Sequence, residues 1–166
     1  MAAKPLQLVN NRPTEVEADA TSAGAGDAGK LVALDGTGRI DESMMPVGIG
    51  ADTALIEASE NLAAGDYVNI HNSGGARVRK ADASTAAAAE IAHGFVLDNV
   101  TSGNNATVYF EGSNTALTSL TPGTTYVLSH STPGGVLALA SASTTAGHAL
   151  QILGVATAAD TINTEI

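Results

Sequence analysis

From Ala51 to Ile166 the chain is cut at short, regular intervals by turn chemistry, and this punctuation limits what it can fold into. Ala64-Gly65-Asp66, Asn72-Ser73-Gly74-Gly75, Ser102-Gly103-Asn104-Asn105, Thr121-Pro122-Gly123 and Pro133-Gly134-Gly135 each supply the glycine, proline or asparagine that a tight turn needs. Between them lie runs rich in Val, Ile, Thr, Tyr and Phe. They predict strands at Ala54 to Ala58, Tyr67 to His71, Ala76 to Lys80, His93 to Leu97 and Thr107 to Glu111. Further strands are predicted at Tyr126 to Ser129, Val136 to Leu139, Leu150 to Ala156 and Thr161 to Ile166. Short strands separated in this way specify an all-β fold, a compact antiparallel β-barrel or sandwich. Only Ala83 to Glu90 departs from the pattern, as one helical turn or a loop.

The composition says what such a fold has for a core. Hydrophobic residues make up 44% of the 166 residues, yet only 3% are aromatic and there is no Trp. The interior must therefore be built from small and β-branched side chains, which suits thin β packing. Seventeen acidic residues against seven basic give a formal net charge of −10. That balance repels phosphate backbones, and no Lys/Arg cluster offsets it, so nucleic-acid binding is not expected. A solvated acidic surface also keeps a protein soluble at high local concentration. The absence of Cys removes disulfides, thiolate nucleophiles and cysteine metal sites together. The start, Met1-Ala-Ala-Lys-Pro-Leu-Gln-Leu-Val, lacks the apolar stretch of a signal peptide, and no run approaches a membrane span. The chain is expected to be made soluble, with no membrane partner.

A weak repeat runs through the β region. Thr53-Ala54-Leu55 recurs as Thr115-Ala116-Leu117, and Leu62-Ala-Ala-Gly65-Asp-Tyr67 as Leu120-Thr-Pro-Gly123-Thr-Thr-Tyr126. His71 and the following Gly74-Gly75 recur as His130 and Gly134-Gly135. Gly94-Phe95-Val96 recurs as Gly154-Val155-Ala156, and Glu111 and Glu165 close the two copies. Either turn chemistry has reused the same few residues or one unit has been duplicated. The shared order and spacing favour duplication, with two such units facing each other to make one barrel or sandwich.

The segment before the β region reads differently. Residues 1 to 29 form an extended arm, broken by Pro5 and Pro13 and ending in the Gly/Ala-rich run Thr21 to Gly29. Its apolar piece, Leu6, Leu8 and Val9, alternates like a short strand that has nothing of its own to bury against; it either frays or docks on a partner. A short β-hairpin is expected next. Leu31 to Leu34 makes the first strand, Asp35-Gly36 and Gly38 the turn, and Arg39-Ile40 the start of the return strand. Met44, Met45 and Pro46 close it with an apolar patch. Residues 1–46 are thus an arm with an attachment segment, and residues 47–166 the β module. The candidate partner-binding residues are Leu6, Leu8, Val9, Leu31, Ile40, Met44 and Met45.

No catalytic apparatus stands out. His71, His93, His130 and His148 each lie near a strand end without metal-ligand spacing, and no G-x-S-x-G elbow is present. Asp52, Glu57, Asp66 and Glu111 supply carboxylates for a glycosidase-type pair only if the fold brings them together. The Gly-rich turns lack a following Lys-Ser/Thr and helix, so they read as hairpins rather than phosphate loops. No catalytic residue, cofactor or metal is expected.

Two stretches resemble known proteins. Leu62-A-A-G-D-Y-V-N-I-H-N-S-G-G-A-R-V-R-K, with His93-G-F-V-L, Ala106-T-V-Y-F-E-G, Leu120-T-P-G-T-T-Y-V-L-S and Pro133-G-G-V, resembles a β-module of tailed-bacteriophage virion proteins. The module is found in capsid decoration (cement) proteins and in head-fibre and tail-fibre proteins. Gly29-K-L-V-A-L-D-G-T-G-R-I-D-E-S-M-M-P resembles the attachment segments that precede it. The resemblance implies a non-enzymatic virion protein, a homo-oligomer and in particular a trimer, assembled in the host cytoplasm. A short chain with a long arm favours the outer capsid surface, bound to the major capsid protein; the alternative is a head- or tail-fibre receptor-binding module. About 45 residues at roughly 3.3 Å each reach at most about 150 Å, enough to cross between capsid subunits.

Overall fold

The structure is a computed structural model that describes residues 6–45, 52–84, 90–143 and 147–166. The chain divides into two units, Met1–Gly50 and Ala51–Ile166.

In the N-terminal unit the apolar strand finds a partner within the chain. β1 (Leu6–Val9) pairs antiparallel with β2 (Arg12–Glu15), Leu6 opposite Glu15 and Leu8 opposite Pro13. Asn10 and Asn11 connect them with φ of 53° and 61°. Two successive left-handed residues make a type I′ turn, which matches strand twist and which Asn tolerates better than most residues. The expected extended arm is thus folded back on itself here, and its full contour length is not available for reach.

The hairpin expected after Lys30 does not form as two strands. Val32 makes only an isolated parallel bridge to Asp19, and Arg39-Ile40 contributes no strand. The Asp35 carboxylate takes hydrogen bonds from the backbone N–H of Thr37 and Arg39 and from the Thr37 hydroxyl. Side-chain bonding of this kind competes with a ladder and leaves a closed turn, with Gly38 at φ 81°. A 3-10 turn at Glu42–Met44 follows. Pro46, part of the expected apolar patch, lies outside the described residues.

The second unit is all β. Its first sheet contains β3 (Thr53–Ala58), β4 (Tyr67–Asn72), β5 (Ala76–Lys80), β6 (Gly94–Phe95) and β7 (Asn105–Tyr109). They close into a barrel in the order β3-β5-β4-β6-β7. All pairings are antiparallel except the closing one, where Glu57 and Ala58 run parallel to Arg77 and Val78. The second sheet contains β8 (Glu111–Asn114), β9 (Thr125–Leu128), β10 (Val136–Ala138), β11 (Ile152–Ala156) and β12 (Ile162–Glu165), in the order β10-β9-β11-β12-β8.

These are the same order twice. Reading β8 for β3, β9 for β4, β10 for β5, β11 for β6 and β12 for β7 turns one sheet into the other; the second lacks only the closing strand pair. Loop hydrogen bonds repeat as well: Gly65 N–H to Val96 O matches Gly123 N–H to Ala156 O, and Val96 N–H to Asp66 O matches Ala156 N–H to Thr124 O. Leu62/Leu120, Gly65/Gly123 and Gly94/Gly154 therefore correspond as the sequence indicates. Tyr67 does not correspond to Tyr126. Tyr67 pairs with Phe95 and Val68 with Gly94, whereas Thr125 pairs with Val155 and Tyr126 with Gly154. Tyr126 thus takes the place of Val68, and a slip of one residue reverses which face a side chain occupies.

Each sheet has its own interior. Ala58, Leu62, Val68, Val78, Val96, Ala106 and Val108 fill the closed barrel; Leu120, Tyr126, Ala156 and Ile162 fill the second sheet. A third cluster joins them, with Tyr67, Phe95, Ala81, Ala83 and Ala92 meeting Leu128 and Leu153. Of the barrel or sandwich expected from two facing units, the first unit closes into a barrel by itself, and the open second sheet packs on it through a separate interface. Backbone bonds cross it: Tyr67 N–H to Gly134 O at 2.8 Å and Gly134 N–H to Ala81 O at 2.7 Å.

The expected strands fall within a few residues of those observed, with one informative difference. The strand predicted at Thr107 to Glu111 breaks at Phe110, where the chain leaves the first sheet and begins β8, which the sequence reading did not separate. Of the Ala83 to Glu90 segment, residues 85–89 lie outside the described residues.

Candidate binding surfaces

Leu6 and Leu8 point to the same side of β1, since side chains alternate along a strand. They are 72% and 71% exposed. Pro13 and Glu15, directly opposite, share that face and leave it uncovered. In a sheet of two strands each strand keeps one unpaired edge. Among the described residues no further strand pairs with these edges, and they stand beside the exposed Leu6 and Leu8, features that permit strand addition to a partner. Val9 ends β1.

Leu31, Met44 and Met45 come together. With Asp19, Ser22, Asp27, Lys30, Val32 and Ser43 they line a cleft of about 390 Å³. One wall is apolar; the other is an ion cluster in which the Lys30 ammonium lies 2.8 Å from Asp19 and 2.7 Å from Asp27. Asp27 also accepts the Ala23 N–H. Its carboxyl is held below the ordinary carboxylate value by the Lys30 bond first and by Ala23 second. Lys30 is raised well above the ordinary lysine value, by Asp19 and then Asp27. Asp35 is lowered by the Arg39 and Thr37 bonds, and Asp41 by Ser43. These carboxylates bind backbone and neighbouring side chains, so their chemistry is spent on holding turns. Ile40 is half exposed and does not line the cleft.

Two of the four carboxylates that sequence left open for catalysis, Glu57 and Asp66, have structural partners. Glu57 pairs with Arg77 across the barrel-closing strands. Asp66 accepts the Ala63 N–H and lies 3.4 Å from Lys80. His93 accepts the Ile70 N–H at Nδ1, and His130 stacks on His148 with ring centroids 5.2 Å apart. His71 and His130, matched by sequence, fall one position apart in the repeated hairpins, each of which returns across eight residues from Ile70 to Val78 and from Leu128 to Val136. Among the described residues no three His, Asp or Glu side chains are grouped to hold a metal ion. No described helix is long and apolar enough to cross a membrane.

The sequence reading missed β2 as the partner of β1, although Asn10-Asn11 between two short runs is a turn signal. It also missed the Asp19–Lys30–Asp27 cluster, in which the Asp19–Val32 bridge brings Asp19 beside the local Asp27–Lys30 pair. No protein-family model, curated protein or solved structure matches the chain.

Proposed function

We propose that the chain is a non-enzymatic structural component of a tailed-phage virion. It binds the outer surface of the capsid as a homo-oligomer, a trimer by the resemblance, and bridges adjacent major capsid subunits. The observation that carries this reading is the N-terminal hairpin, where Leu6 and Leu8 stand exposed on one face beside unpaired strand edges. Burying such side chains contributes about 1.5 to 3 kcal/mol each before ordering costs. Many copies on a lattice make modest individual contacts collectively strong. The β-units that follow the hairpin in sequence would serve as the body of the clamp. A fibre tip that reads a receptor would carry aromatic side chains on its loops, whereas Tyr67, Tyr109 and Tyr126 lie in β4, β7 and β9.

The test is binding to capsids that lack the protein, measured as copies per particle against added concentration. A chain without residues 1–15 should keep its fold and oligomeric state yet need at least tenfold more protein for half occupancy. Unchanged occupancy would remove the hairpin as the grip, and absence of binding by the full chain would remove the reading.

A further inference from the structure

The cleft beside Met44 and Met45 has walls fixed by backbone bonds. Asp19 N–H donates to Leu31 O at 2.9 Å and Ala33 N–H to Asp19 O at 2.8 Å, which ties Asp19 to Leu31 and Val32. Ser22 N–H donates to the Ser43 hydroxyl oxygen at 2.7 Å and Met44 N–H to Asp41 O at 3.0 Å, which brings the methionines to the same place. Leu31, Val32 and Met45 are nonetheless 41%, 59% and 41% exposed. Apolar side chains are thus held in a concave site and left half in water. At about 390 Å³ the cleft falls within the roughly 300 to 1,000 Å³ of small-ligand sites.

The two walls define what the cleft accepts. A wall of Leu, Val and Met suits an aliphatic side chain, and methionines adapt to its shape. Because these residues stay half exposed, the cleft covers one side of an occupant and leaves the other open. That geometry fits a side chain presented on a partner chain rather than an enclosed small molecule. The opposite wall sets the charge beside that side chain. Lys30 bonds both Asp19 and Asp27, so one ammonium faces two carboxylates and one negative charge stays uncompensated. From Asp19 to Met45 five acidic residues stand against two basic ones, Lys30 and Arg39. An anion would have to displace a carboxylate from Lys30, whereas a cation meets the surplus negative charge.

We infer that this cleft is a docking site for a partner-protein segment that inserts one side chain of leucine or methionine size and carries a lysine or arginine next to it. Apolar contact with Leu31, Val32, Met44 and Met45 supplies the binding, and the Asp19–Asp27 wall selects the flanking charge. The site is separate from the Leu6 and Leu8 face of the hairpin, and the inference does not depend on the partner's being a capsid subunit.

The test uses the full chain with isotope-labelled methionine methyl groups, read by NMR at Met44 and Met45, and acetylated, amidated hexapeptides at millimolar concentration. Gly-Gly-Leu-Lys-Gly-Gly should shift both methyl signals saturably. Replacing its lysine by glutamate should weaken binding roughly tenfold, a difference that narrows as salt is added. Replacing its leucine by serine should remove the shifts. Val32→Lys, which brings a cation into the cleft, should abolish peptide binding with an unchanged circular dichroism spectrum. Met45→Ser, read at Met44, gives a second variant if Val32→Lys does not fold. Leu55→Lys, the same kind of change at an exposed residue of β3, should leave binding intact. Absence of shifts with the leucine–lysine peptide, equal binding of the glutamate or serine peptide, or binding that survives both cleft substitutions would overturn the inference. Methyl shifts that follow protein concentration without peptide would also overturn it, since a second copy would then fill the cleft.

Discussion

The Tyr67 hydroxyl lies 2.7 Å from the Thr164 hydroxyl, joining a strand of the closed barrel to the last strand of the second sheet. Tyr67 is fully buried, its ring packs 6.0 Å from Phe95, and its N–H bonds Gly134 O. One residue thus supplies ring packing, a side-chain bond and a backbone bond to the joint between two units that have separate cores.

Tyr67→Phe keeps the ring and removes the hydroxyl, leaving Thr164 without that partner in a buried site. The expected loss is about 1 to 2 kcal/mol, read as a lower urea midpoint with an unchanged slope. Tyr67→Ala should cost about 3 to 5 kcal/mol and make the second sheet unfold before the first.

Burial raises the Tyr67 phenol above its ordinary value, and the Thr164 bond only partly opposes that. The native state therefore holds this proton more tightly than the unfolded chain. Its contribution is fully present below the unfolded phenol value of about 10 and is lost as pH rises through the higher native value. Stability should fall above about pH 10, and Tyr67→Phe should show a shallower alkaline fall. Equal alkaline slopes in the two proteins would show that Tyr67 does not control it.

Gly94 and Gly154 occupy the same place in the two sheets and face the same obstacle. A Cβ on Gly94 would lie 2.5 Å from the Tyr109 carbonyl oxygen, and one on Gly154 would run into that of Asn163. Gly154 also sits at φ 152°, where side chains are strained. Gly94→Val and Gly154→Val should each destabilise by about 2 kcal/mol or more, Gly154 the more. Chemical denaturation measures both; a neutral result at either would break the match between the units.

In the N-terminal unit Asp27, Asp35 and Asp41 have lowered pKa values. Their contribution is present above the unfolded carboxylate value of about 3.9 and is lost as pH falls through the lower native values. Amide signals of Ala23, Thr37, Arg39 and Ser43 should therefore collapse in acid while those of the barrel strands persist. Raised Lys30 has the opposite sign: its contribution is lost as pH rises above the ordinary lysine value. Asp35→Ala should speed hydrogen exchange at Thr37 and Arg39 near neutral pH; unchanged exchange would mean that its carboxylate does not hold the turn.

The Asn10-Asn11 turn sets the hairpin. Asn11→Gly, which favours the left-handed conformation, should retain the cross-strand contacts between Leu6 and Glu15. Pro at position 10, with φ fixed near −65°, should abolish them, observable as lost cross-strand nuclear Overhauser effects. Persistence of those contacts with Pro would mean that the turn is not type I′.

The all-β class, most strand positions and the doubling of the unit were legible in the sequence, because they depend on local chemistry. Gly65, Gly94, Gly123 and Gly154 mark the repeat where backbone conformation or close approach excludes a side chain, and alternation marks Ala76–Lys80 as a strand. Leu6 and Leu8 were likewise legible as an apolar pair without a core. What tertiary structure alone decided is how the copies are used. Tyr67 and Tyr126 look equivalent, yet one residue of register places Tyr67 at the joint and Tyr126 inside the second sheet. The same strand order closes in the first copy through Glu57–Ala58 beside Arg77–Val78 and stays open in the second. Whether a strand pairs across such a gap, and which outward face is covered, depends on residues far apart in the chain meeting in space. Local propensity carries no record of those meetings.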